Sequence, residues 1–233
     1  MNLTEFFAVM ESIRVNTDKK HTFTRGTDIM YPIYIILYAQ NSFVSKSIRK
    51  ATNAPYSHAS ISFDTSMQNI FSFGKLKIDM GDDKRELKNG AIRESFISKK
   101  GMRAFPQDAK YEVYTLFVSK DNLDTIKKKV HEIFDNPDGY KFSIIGLLRY
   151  YLGMTSESTS KMFCSQLVAS LLAAGNVHLD RAPSMYSPYE LKDIQNVKYV
   201  DSGILKDYNR TKFDRLMDDI IKEMQEPTNM DAE

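Results

Sequence analysis

The spacing of apolar and polar positions changes along the chain, and each change predicts an element. Leu3, Phe6, Phe7, Met10 and Ile13 recur at helical spacing, so 3–14 reads as an amphipathic helix followed by a polar stretch from Asn16 to Asp28. The Ile- and Tyr-rich run from Pro32 to Ala39 predicts a buried strand, and Ser45 to Lys50 a basic connector. In 57–63, His58, Ser60 and Ser62 alternate with Ala59, Ile61 and Phe63, the period-2 pattern of a half-buried strand. Ile70 to Phe73 reads as its returning hairpin partner, with Gly74 marking a bend or bulge. The charged stretch from Asp79 to Gly90 reads as a solvated loop.

Farther on, 112–118 is β-branched and aromatic enough for another buried strand. Asn122 to Asp135 then places Leu123, Ile126, Val130 and Ile133 on one helical face before Asn136-Pro137-Asp138-Gly139 ends it. Phe142 to Leu152 is apolar nearly all round, predicting a buried helix, and Ser156 to Ser160 a polar loop. A further helix begins close to Cys164, has a core face of Leu167, Val168, Leu171 and Leu172, and ends with Gly175 at C′. Lys198 to Val200 offers a short strand, and 211–224 an amphipathic helix leading to an acidic tail. No repeat is visible, so one α+β domain over 28–204 is expected, with helical extensions at 1–27 and 205–233.

Composition narrows the functional classes. With 32 basic and 30 acidic residues the net charge is +2, which supplies no field of one sign to hold a nucleic acid. The single cysteine excludes an internal disulfide and a cysteine-based zinc site. Asp79, Asp82 and Asp83 lack the alternation of a calcium loop, so no metal or other cofactor is expected. The apolar runs fall short of the ~20 residues that span a bilayer, and the first residues lack a basic region typical of export signals. The expectation is a cytoplasmic protein, bacterial or phage-encoded, without a transmembrane segment.

The candidate chemistry rests on Cys164 and His58. A thiol in the first turn of an apolar helix meets the condition for a depressed pKa, and the unpaired N–H groups there suit an oxyanion. His58 shares the polar face of its strand with Ser60 and Ser62, so its ring can project into a cleft. His21, His131 and His178 lack a strand setting. The plainer reading of Cys164 is a core thiol in phase with Leu167, Val168 and Leu171. For an orienting residue the sequence offers Ser72, in one register of the hairpin only, and Glu94, whose plainer reading is a surface charge. Lys46, Arg49 and Lys50 could face a negatively charged substrate group, although such runs are usually solvated faces.

Taken together, Tyr56-Ser57-His58-Ala59-Ser60-Ile61, Phe71-Ser72-Phe73-Gly74 and Phe163-Cys164-Ser165-Gln166-Leu167-Val168 resemble the circularly permuted branch of the NlpC-type papain-like cysteine hydrolases and peptidases. In that branch the histidine strand precedes the cysteine helix, as here, and the resemblance covers about 28–200. It implies a small antiparallel barrel-like sheet packed against the cysteine-bearing helix. It also implies a Cys–His dyad cleaving an amide or ester bond of a small acyl, lipid-like or peptide substrate, by hydrolysis or acyl transfer through a thioester. The competing expectation is a catalytically silent binding or virion structural module whose terminal helices dock a protein partner.

Overall fold

A computed structural model describes residues 20–39, 43–79, 85–96, 102–136, 138–143, 158 and 160–226. The helices expected over 3–14 and from Phe142 to Leu152 fall wholly or mostly outside these residues; Lys141–Phe142 themselves form a short strand.

The fold is α+β, with four described helices around a curled sheet that is antiparallel except at one edge. Its strands are β1 (Phe23–Arg25), β2 (Asp28–Tyr38), β3 (His58–Ser62), β4 (Ile70–Asp79), β5 (Arg85–Ser95), β6 (Arg103–Ala104), β7 (Lys110–Ser119) and β10 (Lys198–Ile204). Across the sheet they run β10, β7, β2, β3, β4, β5, β6, with β1 joined to the start of β2 and β6 parallel to β5. Two further strands, β8 (Lys141–Phe142) and β9 (Lys161–Met162), form a separate parallel pair.

Strand β2 shows why both faces of the sheet are apolar. Ile33, Ile35 and Leu37 belong to one core with Ile61, Phe71, Leu116 and the helices, whereas Tyr34, Ile36 and Tyr38 belong to a second with Ile70, Phe96, Phe105 and Val113. Successive side chains point to opposite faces, so a strand buried on both sides is continuously hydrophobic rather than alternating.

The first core is covered by helices α2 (Lys120–Asp135) and α3 (Cys164–Ala174). Ser119 caps α2, its Oγ accepting from Asn122 N at 3.3 Å. Leu167, Val168, Leu171 and Leu172 of α3 are buried against β3 and β4. Each such burial stabilises the domain by ~1.5–3 kcal/mol relative to exposure. Gly175 sits where α3 meets α2, and a Cβ there would lie 2.3 Å from Ile126 Cδ1. Its φ is −88°, so close approach, not a left-handed C′ conformation, is what calls for glycine; the left-handed residue is Asn176.

Helix α4 (Arg210–Gln225) is capped by Asn209 and buries Phe213 and Met217 in the second core. Residues 205–225 therefore pack on the sheet.

Three local expectations are corrected. The basic connector is a helix, α1 (Phe43–Thr52), whose Arg49 Nη1 donates to Ser45 Oγ at 2.9 Å. Gly74 makes no bulge, since it pairs regularly with Gly90. The stretch from Asp79 to Gly90 is mostly hairpin: β5 begins at Arg85 and pairs with β4 back to Asp79. Backbone pairing in a hairpin does not require apolar residues, so a charged composition there reads as a loop.

Candidate active site

The site lies where the start of β3 meets the first turn of α3. The N-cap of α3 is Phe163, which supplies no side-chain acceptor. The first intrahelical bond in this turn is Leu167 N to Phe163 O at 3.0 Å, so the N–H groups of 164–166 precede the helical ladder. Cys164 stands among them, buried at 6% exposure. The positive end of the helix and these donors favour negative charge at its Sγ.

Strand pairing collects the other groups. Tyr38 faces His58 across β2 and β3, with ring centroids 4.7 Å apart in a T-shaped arrangement. Ser62 pairs with Ile70, and this register places Ser72 on the same face as His58, Ser60 and Ser62. Ile70 in turn pairs with Glu94, which carries the carboxylate onto that face. The surface-charge reading of Glu94 is therefore corrected: the residue is 0% exposed.

Both Glu94 carboxylate oxygens lie 3.2 Å from His58 Nε2. Ser60 Oγ donates to Glu94 Oε2 at 2.5 Å, Tyr38 OH donates to Oε1 at 2.9 Å, and Arg103 Nη1 stands 3.6 Å from Oε1. Ser72 Oγ is 2.9 Å from His58 Nε2 and 2.7 Å from Ala59 O. Because that hydroxyl donates to the carbonyl, toward the ring it accepts. Nε2–H is thus shared between Glu94 and Ser72, and Nδ1 is the nitrogen left to exchange a proton with Cys164.

The electrostatics follow. Burial on its own disfavours the imidazolium, but the Glu94 and Cys164 charges with their hydrogen bonds outweigh it and raise His58 to about 9. Burial likewise disfavours the thiolate, yet the His58 charge and hydrogen bond, with backbone donors at Ala59 and Ser165, hold Cys164 below its ordinary value. Glu94 is also held low: His58, Arg103 and the Ser60 hydroxyl overcome its desolvation. These shifts favour thiolate, imidazolium and carboxylate beside the Arg103 guanidinium, two charges of each sign, a paired arrangement that lowers the cost of burying them.

Of the predicted candidates, Cys164, His58, Ser72 and Glu94 come together. Tyr38 and Arg103 were not foreseen. A tyrosine inside a strand buried on both faces needs a partner for its hydroxyl, which is a signal the run from Pro32 to Ala39 contained. Arg103 sits on a two-residue strand with no periodicity to read. Elsewhere, His21 is buried 3.6 Å from Asp218 of α4, His131 lies on α2, and His178 is exposed in a loop. Lys46 and Lys50 are exposed on α1. Among the described residues no cluster of metal-ligating side chains occurs, and no helix is long and apolar enough to cross a membrane.

Compared with known proteins, the chain matches no family model, no curated protein and no solved structure.

Proposed function

We propose that the chain is a cysteine hydrolase or acyltransferase built on a papain-like half-barrel of the permuted NlpC kind. The observation that carries this reading is the buried series Cys164, His58, Glu94, in which a carboxylate contacts one ring nitrogen of the histidine that polarises the thiol. Cys164 attacks the carbonyl carbon of an amide or ester, and the carbonyl oxygen takes up negative charge at the N–H groups opening α3. His58 passes its Nδ1 proton to the departing amine or alcohol, leaving a thioester on Cys164. Water, or an acceptor nucleophile, then gives its proton to His58 and releases the acyl group. Glu94 keeps Nε2 protonated and the ring oriented throughout.

The test is the pH dependence of Cys164 alkylation by iodoacetamide in the wild type and in His58→Ala. Fast alkylation at about pH 6–7 that collapses in the variant supports the pair and directs a search among lipid-like and peptide acyl compounds. A second reading, a binding or virion structural module retaining the fold, draws on the 6% exposure of Cys164. Slow alkylation, equal in both proteins and rising only near the free-thiol pKa of about 8.5, favours it.

A further inference from the structure

Among the described residues Arg103 has more donors than partners. Its guanidinium lies 3.6 Å from Glu94, beyond hydrogen-bonding distance, and makes no hydrogen bond to any side chain or backbone group among the described residues. Five N–H donors in a fixed fork are seldom left idle beside a reacting group. The side chain is 21% exposed, against 0% for Glu94, so unlike the carboxylate it is within reach of a group outside the buried set. A Cβ at Gly74 of β4 would stand 3.7 Å from Nη1 and 3.0 Å from Ile92 Cδ1.

Burial on its own would weaken the arginine's charge, but Tyr38, Glu94 and Cys164, when ionised, strengthen it; the guanidinium stands 3.6 Å from the carboxylate that itself lies 3.2 Å from His58 Nε2. Glu94 is already neutralised mainly by His58, with Ser60 and Tyr38 satisfying its oxygens. The carboxylate therefore does not require Arg103 for hydrogen bonding.

We propose that Arg103 is a specificity residue that receives a carboxylate on the acyl substrate, close to the bond Cys164 attacks. The planar fork matches a carboxylate in two-point contact. Because Glu94 takes up part of the arginine's charge, a singly charged group fits better than a doubly charged phosphate. The inference rests on the thiol-hydrolase reading and adds to it a substrate class, acyl compounds bearing a carboxylate.

Two alkylating reagents of nearly the same shape separate the claims. Iodoacetate carries a carboxylate and iodoacetamide a neutral amide, and both report on the same thiolate, so their rate ratio cancels any change in thiolate population. In the full chain at pH 7 and fixed ionic strength, the iodoacetate-to-iodoacetamide ratio at Cys164 is expected to exceed that of glutathione about fivefold. Arg103→Gln lowers the wild-type ratio severalfold, leaving only what His58 and the start of α3 supply, and Arg103→Lys retains part of the difference. Equal ratios in wild type and Arg103→Gln overturn the proposal and leave Arg103 as support for Glu94 alone. Should the variants not fold, a wild-type ratio no higher than that of glutathione overturns it equally. Failure of the underlying reading shows differently: iodoacetamide itself then reacts slowly and without dependence on His58.

Discussion

Glu94 and His58 stand 36 residues apart in the chain, on strands that do not pair with each other, yet both carboxylate oxygens come within 3.2 Å of Nε2. The intervening strand β4 contributes Ser72 to the same nitrogen at 2.9 Å. One ring nitrogen thus has a charged and a neutral partner, and the two are experimentally separable.

Glu94→Gln keeps the shape and removes the charge. The largest influence raising His58 is lost, its pKa falls, and the thiolate loses imidazolium support. The alkylation profile of Cys164 is expected to move up by about one pH unit, slowing the reaction roughly tenfold on the acid limb of the profile and less at higher pH. Ser72→Ala removes a neutral acceptor only, and its effect should be about threefold or less. Stopped-flow alkylation from pH 5 to 9 checks both; a larger effect at Ser72 than at Glu94 would reverse the assigned order.

The sequence revealed this site unevenly, for physical reasons. Alternation in 57–63 was enough to place His58, Ser60 and Ser62 on one face, and the apolar helix after Phe163 was enough to place Cys164 in its first turn. Ser72 depended on register, which a single hairpin strand does not specify; the pairing Ser62 to Ile70 settles it. Glu94 was legible only as a candidate, because burial of a carboxylate follows from the partners the fold gathers and not from neighbours in sequence. The same applies to the charged hairpin from Asp79 to Gly90 and to α1, where charge density obscured backbone pairing and helical turns.

Gly175→Ala tests the junction of α2 and α3, the helix that positions the thiol. The added Cβ would meet Ile126 Cδ1 at 2.3 Å, Cγ1 at 2.5 Å and Asn122 O at 3.3 Å. A destabilisation of about 1–3 kcal/mol is expected from overpacking. Ile126→Ala removes both offending carbons, so in the double variant the two costs should sum to less than their separate values by about 1 kcal/mol or more. Urea denaturation of the four proteins measures that coupling, and simple additivity would place the strain elsewhere.

Phe213→Ala tests whether α4 belongs to the folded body. Phe213 is fully buried, with its ring 5.7 Å from Tyr34 and 6.0 Å from Tyr208. Truncation leaves a cavity lined by those rings, at a cost of about 3–5 kcal/mol. A denaturation midpoint unchanged within error would mean that α4 contributes nothing to the stability of the sheet.

The ionised pair makes a further prediction about stability and pH. His58 has its folded pKa raised from 6.5 to about 9, so its contribution is fully present below 6.5 and is lost as pH rises through about 9. Cys164 is depressed from 9.0, so its contribution is present above 9.0 and is lost as pH falls through its folded value. Below 9.0, wherever the folded thiol is ionised, the unfolded chain holds its proton on the thiol and the folded chain on the imidazole, so the two slopes oppose each other. In Cys164→Ser the cysteine half disappears, while Glu94 still raises the ring. The variant should therefore lose stability relative to wild type as pH increases from 6.5 to 9.0. Urea midpoints of both proteins across this range provide the test, with all other titrating groups cancelling in the difference. Parallel curves would mean that the folded site holds a neutral thiol and a neutral imidazole, and the nucleophile would then have to be activated by substrate binding.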